Sequence, residues 1–84
     1  MTNKQFSERL NKELDNIGLP LLSAERIDAL AKLIKIPKFK AEAMLSGVTL
    51  PEGEVLENLA DELEINGAWL IGKSEQRTKK QKKE

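Results

Sequence analysis

Apolar residues recur at helical spacing through most of the chain. In the first segment Phe6, Leu10, Leu14 and Ile17 follow one another at intervals of three or four residues, which predicts the buried stripe of an amphipathic helix. Three further segments carry comparable stripes, namely Ile27, Leu30, Ala31 and Ile34, then Ala41, Met44 and Leu45, then Val55, Leu56, Leu59, Ala60 and Leu63. No segment alternates apolar and polar residues as a half-buried strand would, so the pattern predicts an all-α fold.

Glycine and proline separate the stripes. Gly18 and Pro20 are predicted to end the first helix, because glycine accepts a left-handed cap and proline blocks continuation. Pro37 cannot continue a helix from the preceding turn but can open the next one, so the second and third helices meet at a tight corner. Gly47 is predicted to end the third helix.

Capping residues complete the predicted boundaries. Ser23 is expected to be the N-cap of the second helix, and Thr49 to Glu52 fit a capping box before the fourth. Asn66 is expected to cap a short fifth helix that contains Trp69 and ends near Gly72. The sequence therefore predicts five helices within residues 1–72, forming a single domain.

The last twelve residues differ in composition from the rest. KSEQRTKKQKKE, residues 73–84, contains no apolar side chain to offset its ordering entropy, so we expect a disordered basic tail. Its cations are interpreted in two ways, either as an arm that binds DNA without sequence preference or as a solubilising terminus. The five of its six cations considered for this arm are Arg77, Lys79, Lys80, Lys82 and Lys83.

Composition excludes several kinds of chemistry. The 84 residues include no Cys and no His, which rules out a disulfide framework, His-based catalysis and the usual zinc sites. There is no glycine-rich phosphate loop, no apolar run near the roughly 20 residues of a membrane span, and no signal-peptide pattern at the N-terminus. We therefore expect a cytoplasmic protein that is not an enzyme, with no cofactor, metal ion, small-molecule substrate or membrane partner.

Charge is unevenly distributed although its formal sum is zero. Residues 1–72 carry 8 basic and 12 acidic residues, whereas residues 73–84 carry 6 basic and 2 acidic residues. Around the predicted corner, residues 26–40 hold five basic residues and a single acidic one, Asp28. The segment from 52 to 64 contains six acidic residues and no basic residue. A molecule with one basic side can orient on a polyanion despite zero net charge, although solvated helix faces explain the same pattern.

Three stretches at these spacings resemble the lambda repressor-like helix-turn-helix family, which includes phage repressors and Cro-like proteins. They are LAKLIKIPKFKAEAMLSG at 30–47, Leu50-Pro51, and LENLADELEINGAWLIG at 56–72. The resemblance covers residues 4–72. It implies a five-helix all-α domain with a central helix-turn-helix, in which the third helix enters the DNA major groove.

The resemblance also implies roles for particular residues. Base-facing positions would be Lys38, Phe39, Lys40 and Ala43. Phosphate-facing positions would be Ser23, Arg26, Lys35, Ser46, Gly47 and Thr49. The fifth helix, with Trp69, Leu70 and Ile71, is assigned as a guess to a homodimer contact, although Trp69 is interpreted chiefly as a core residue.

Several positions depart from the family pattern. Lys35 replaces the common glycine of the turn, at a cost of roughly 1 kcal/mol if the left-handed conformation is kept. Pro37 replaces the usual Ser or Thr cap, and Ile27 replaces a phosphate-binding Gln. Phe39 and Ala43 offer bases only apolar contact, for example with a thymine methyl, rather than bidentate hydrogen bonds.

Two functional hypotheses follow from these observations. The first is a DNA-binding transcriptional regulator, expected to be a repressor, that acts as a homodimer on double-stranded DNA. The second uses the same fold for protein–protein contact, as an antitoxin or adaptor does, with weak or no DNA binding. The apolar residues of the third helix, which would face the bases, and the acidity of residues 1–72 favour the second hypothesis.

Overall fold

The computed structural model describes residues 1–78, and its helices follow the predicted order. They are α1 (Asn3–Asn16), α2 (Ser23–Ile34), α3 (Lys38–Leu45), α4 (Gly53–Leu63) and α5 (Gly67–Leu70). Within residues 1–78 there is no strand, and the β-type pairing is an isolated antiparallel bridge between Ile65 and Thr78. The predicted all-α class is therefore confirmed.

A single apolar core joins the helices. α2 packs against α3 and α4, α1 packs against α3 and α5, and α4 packs against α5. Burial of each large apolar side chain contributes about 1.5–3 kcal/mol. The largest fully buried side chains are Phe6, Leu10, Leu14, Leu30, Leu59, Ile65 and Leu70. Ile17 is an exception to the first predicted stripe, because it lies just beyond the end of α1 and is 46% exposed.

Two helices end in a left-handed residue that is not glycine. Lys35 (φ 60°, ψ 51°) follows α2, and Glu64 (φ 57°, ψ 43°) follows α4. In both places the next residue is an isoleucine whose N–H donates to a carbonyl of the last helical turn, from Ile36 to Ala31 at 2.9 Å and from Ile65 to Ala60 at 3.0 Å. The chain therefore turns sharply and returns an apolar side chain towards the core.

Some predicted caps are wrong. Ser23 is the first residue of α2, and the N-cap position belongs to Leu22, which has no side-chain cap. The Thr49 capping box does not form either, because α4 begins later, after Glu52, and the Thr49 hydroxyl donates to the Leu50 carbonyl. The predicted Asn66 cap is confirmed, since its side-chain oxygen accepts a 3.0 Å hydrogen bond from the Ala68 N–H.

The helical domain carries a capping box that the sequence analysis missed. At the start of α1, the Thr2 hydroxyl accepts from the Gln5 N–H at 3.1 Å, and the Gln5 side chain accepts from the Thr2 N–H at 2.9 Å. The pattern Thr-x-x-Gln is visible in the sequence. It fixes the first turn of α1, which packs against α3 and α5.

The expectation of a disordered tail from residue 73 is wrong for residues 73–78. The Arg77 guanidinium donates to both carboxylate oxygens of the buried Glu13, at 2.6 and 2.8 Å. The Arg77 carbonyl accepts from the Asn66 N–H at 2.8 Å. These polar contacts replace the apolar burial that the segment lacks. The remaining predicted tail, residues 79–84, lies outside the described residues.

Candidate nucleic-acid interface

The corner between α2 and α3 is formed by three residues, Lys35, Ile36 and Pro37. The left-handed Lys35 reverses the chain, and half-buried Ile36 packs against the core. Pro37 is the N-cap residue of α3 rather than its first helical residue, with φ −63° and ψ 151°. This geometry leaves the first turn of α3 at the surface, where Lys38, Phe39 and Lys40 are all exposed.

α3 buries one side and presents the other to solvent. Ala41 and Met44 face the core, at 0% and 2% exposure. On the opposite side Phe39 is 69% exposed, Ala43 is half-buried and Ser46 follows at the C-cap. Glu42, which the sequence analysis did not consider, is exposed next to this face. The outward side of α3 therefore combines the two lysines of its first turn with the apolar side chains of Phe39 and Ala43 and the carboxylate of Glu42.

The lysines of the corner are not equivalent. The Lys38 ammonium lies 3.2 Å from one carboxylate oxygen of Asp28, and the Lys32 ammonium lies 3.2 Å from the other. Lys35 and Lys40 are exposed and form no ion pair within residues 1–78. Hydrogen bonds from Lys38 and then Lys32 lower the pKa of Asp28 below its usual value, so the carboxylate stays ionised at neutral pH.

Arg26 lies in the interior, contrary to the prediction that it contacts phosphate. It is 6% exposed, and its guanidinium donates to the carbonyls of Pro20 at 2.8 Å and Asn11 at 3.1 Å. It also forms an ion pair with Asp15. The side chain thus ties the end of α1 and the following loop to α2. Its hydrogen-bonding capacity is used inside the protein, which explains why it does not point towards solvent.

The loop after α3 is built against α1. Gly47 has φ +80°, a left-handed conformation that favours glycine, and a Cβ added there would lie in tight contact, 3.3 Å from the Ser7 hydroxyl oxygen. The Asn3 amide donates to the Val48 carbonyl at 3.0 Å. The Ser46 hydroxyl donates back to the Glu42 carbonyl at 2.8 Å.

The remaining predicted phosphate ligands are dispersed. Ser23 and Thr49 are exposed, and Gly47 is half-buried. Ser23 and Ser46 line the same shallow cavity of about 310 Å³ at the junction of the α1–α2 loop with α3. Thr49 lines a different cavity, so the structure does not bring all the predicted phosphate ligands together.

An apolar groove lies beside the outward face of α3. Its volume is about 400 Å³, and it runs between α3 and the start of α4. Phe39 and Ala43 form one wall, and Pro51 and Val55 belong to the other. Val48, 69% exposed, lies in the intervening loop. Sequence analysis missed this groove because its walls come from two separate helical stripes.

The predicted dimer residues of α5 occupy three different environments. Leu70 is fully buried, so it cannot contact a second copy of this fold, and its assignment to a dimer interface is wrong. Ile71 is half-buried. Trp69 is half-buried beneath Arg9, whose guanidinium carbon lies 4.3 Å from the ring centroid, with Arg77 at 5.8 Å. These stacked cations favour a structural role for Trp69.

Comparisons with protein-family models, curated proteins and solved structures find no match to this chain. Among residues 1–78, no helix is long and apolar enough to cross a membrane. The same residues contain no cluster of three or more acidic, His or Cys side chains arranged to hold a metal ion.

Proposed function

We propose that this protein is a DNA-binding transcriptional regulator of the lambda repressor-like helix-turn-helix kind. In this proposal α3 enters the major groove, and the protein acts as a homodimeric repressor on two half-sites about one helical turn apart. The observation that carries the proposal is the three-residue corner at Lys35–Pro37. It joins α2 to a short α3 whose first turn is exposed and cationic.

Charge supports this orientation of the protein on DNA. Lys35 and Lys40 flank the start of α3, and the helix dipole adds partial positive charge at the same end. The acidic residues of α4 are exposed on a different helix, and two of them, Asp61 and Glu62, line a shallow cavity together with Lys35. A polyanion is therefore attracted to the start of α3 and repelled by α4.

The chemistry of α3 indicates how bases would be contacted. Phe39 and Ala43 can pack against thymine methyl groups, which lie in the major groove. Lys38 and Lys40 can each donate to guanine oxygen or nitrogen, but as single-point donors. Base discrimination by this surface would therefore depend on apolar contact more than on paired hydrogen bonds.

A salt titration of duplex binding tests the proposal. The logarithm of the affinity should fall with the logarithm of salt concentration by about 0.9 for each phosphate neutralised. Lys40→Ala should weaken binding and make that slope shallower by about 0.9. Lys12→Ala is the matched control, because Lys12 is exposed on α1 and lines a cavity with Arg9 and Gly72, away from α3. A folded protein with no duplex affinity at low salt would refute the proposal.

A second candidate function is the binding of a protein segment in the apolar groove. The 69% exposure of Phe39, which lines this groove, favours it. Because exposed Glu52 also lines the groove, the fitting segment would carry an apolar side chain next to a basic one. Absence of duplex binding by the folded protein would leave this candidate in place.

A further inference from the structure

We infer that Asp28 restrains the affinity of this protein for nucleic acid by holding the ammonium groups of Lys32 and Lys38. The inference rests on the proposed function, because it concerns the same corner. Asp28 lies on α2, between Lys32 on its own helix and Lys38 at the start of α3. A single carboxylate thereby forms ion pairs with two of the four lysines near the proposed DNA surface, the other two being Lys35 and Lys40.

The geometry of the three side chains is specific. Each carboxylate oxygen accepts one ammonium group at 3.2 Å, so neither lysine shares an oxygen with the other. The Asp28–Lys38 contact also links α2 to α3 across the corner. Within residues 1–78 it is the only ion pair that does so. The carboxylate is ionised at neutral pH, as its lowered pKa indicates.

These pairs are weak enough for DNA to compete with them. The Lys32 and Lys38 side chains are 78% and 71% exposed, and the Asp28 side chain is 37% exposed. Exposed ion pairs contribute little to stability, so a phosphate group can take either lysine from Asp28. Each transfer leaves the Asp28 carboxylate without that partner and near the approaching phosphates. Binding therefore proceeds at a lower affinity than four unpaired lysines would give.

The consequence is a bias against weak, non-specific complexes. Phosphate contacts supply most non-specific affinity, whereas base contacts in the groove supply discrimination. Because two lysines of the corner are paired with Asp28, contacts with phosphate alone give the protein less affinity for DNA. Removal of the Asp28 charge should therefore strengthen binding to any duplex, including one without an operator.

The test compares three proteins on a random-sequence duplex by fluorescence anisotropy: the wild type, Asp28→Asn and Glu25→Gln. Glu25 is the matched control, because it is an exposed acidic residue of the same helix that forms no ion pair within residues 1–78. Both variants remove one negative charge. Only Asp28→Asn also releases two lysines.

We expect Asp28→Asn to bind about three- to tenfold more tightly than wild type at low salt. Its salt slope should be steeper by about 0.9–1.8, which corresponds to one or two additional phosphates. Glu25→Gln should change affinity by less than about twofold. The charges of residues 79–84 are identical in all three proteins, so they do not affect the differences.

Other outcomes separate the inference from the proposed function. Equal gains in Asp28→Asn and Glu25→Gln would show a general charge effect and overturn the inference. Weaker binding by Asp28→Asn would also overturn it, because Asp28 would then position Lys38 rather than restrain it. In either case the duplex is bound and the proposed function stands. Failure of all three folded proteins to bind the duplex would refute both.

Discussion

The ion pair between Glu13 and Arg77 should stabilise the fold although it lies near the C-terminal end of the described chain. Glu13 is on the buried side of α1, and only 6% of its side chain is exposed. Arg77 binds it through two nearly parallel hydrogen bonds, at 2.6 and 2.8 Å. The same contact raises the pKa of Arg77 above its usual value. Removal of the arginine leaves a buried carboxylate without its charged partner.

The loss of unfolding free energy expected when Arg77 is removed follows from how deeply Glu13 and Arg77 are buried. Loss of the partner of a fully buried ion costs about 3–5 kcal/mol. Here the Arg77 side chain is 46% exposed, so water can reach Glu13 once the arginine is gone. We therefore expect Arg77→Ala to lower the free energy of unfolding by about 1.5–3 kcal/mol, the range for hydrogen bonds to charged groups. For a domain of this size the midpoint of thermal unfolding should fall by on the order of 10 °C.

A double-mutant cycle isolates the pair from other effects. Arg77→Ala, Glu13→Gln and the double variant are unfolded with denaturant, and the fluorescence of Trp69, the only tryptophan, is followed. The coupling energy should be about 1–2 kcal/mol. Glu75→Ala is the control, since Glu75 is exposed in the same segment and forms no ion pair within residues 1–78. Additive effects of Arg77→Ala and Glu13→Gln, within about 0.3 kcal/mol, would refute the reasoning.

Three further predictions concern the corner and its neighbouring loop. Gly47→Ala should destabilise the protein by about 1–2 kcal/mol in denaturant unfolding, and by more than Gly18→Ala, which has a similar φ of +83° but open space around it. Lys35→Gly should stabilise the protein by about 0.5–1 kcal/mol by the same measurement, while weakening duplex binding. Because the pKa of Asp28 is lowered, its ion pairs stabilise the protein above the usual carboxyl pKa and are lost as pH falls through the lowered value; the NMR titration of this carboxyl should move to higher pH in Lys38→Ala.

Those features that depend on neighbouring positions in the chain could be predicted from the sequence. The apolar stripes predicted the helices, because a stripe of this period can be buried only when the segment is helical. The left-handed conformation of Lys35 could be anticipated only through the resemblance, in which this turn position is commonly glycine. The Asn66 cap is equally local, since the side chain bonds a backbone group two residues away.

The features that sequence analysis missed depend on contacts between distant residues. Arg26 and Glu13 are charged, and charged residues are usually exposed. Each is buried because a partner elsewhere satisfies it, 11 and 64 positions away respectively. One local signal was present for Glu13, which lies on the same helical stripe as Phe6 and Leu10. A charged residue on an apolar stripe indicates a buried partner, but the sequence does not identify that partner.

Contacts between distant residues also change the estimate of how basic the proposed DNA surface is. Residues 26–40 include five cations, and the sequence treats them as equivalent. In the structure Arg26 is committed to the interior, and Lys32 and Lys38 are held by Asp28. Only Lys35 and Lys40 remain without an ion pair within the described chain. The attraction of this corner for phosphate therefore depends on whether Asp28 releases its two lysines, and the difference in salt slope between wild type and Asp28→Asn measures that release directly.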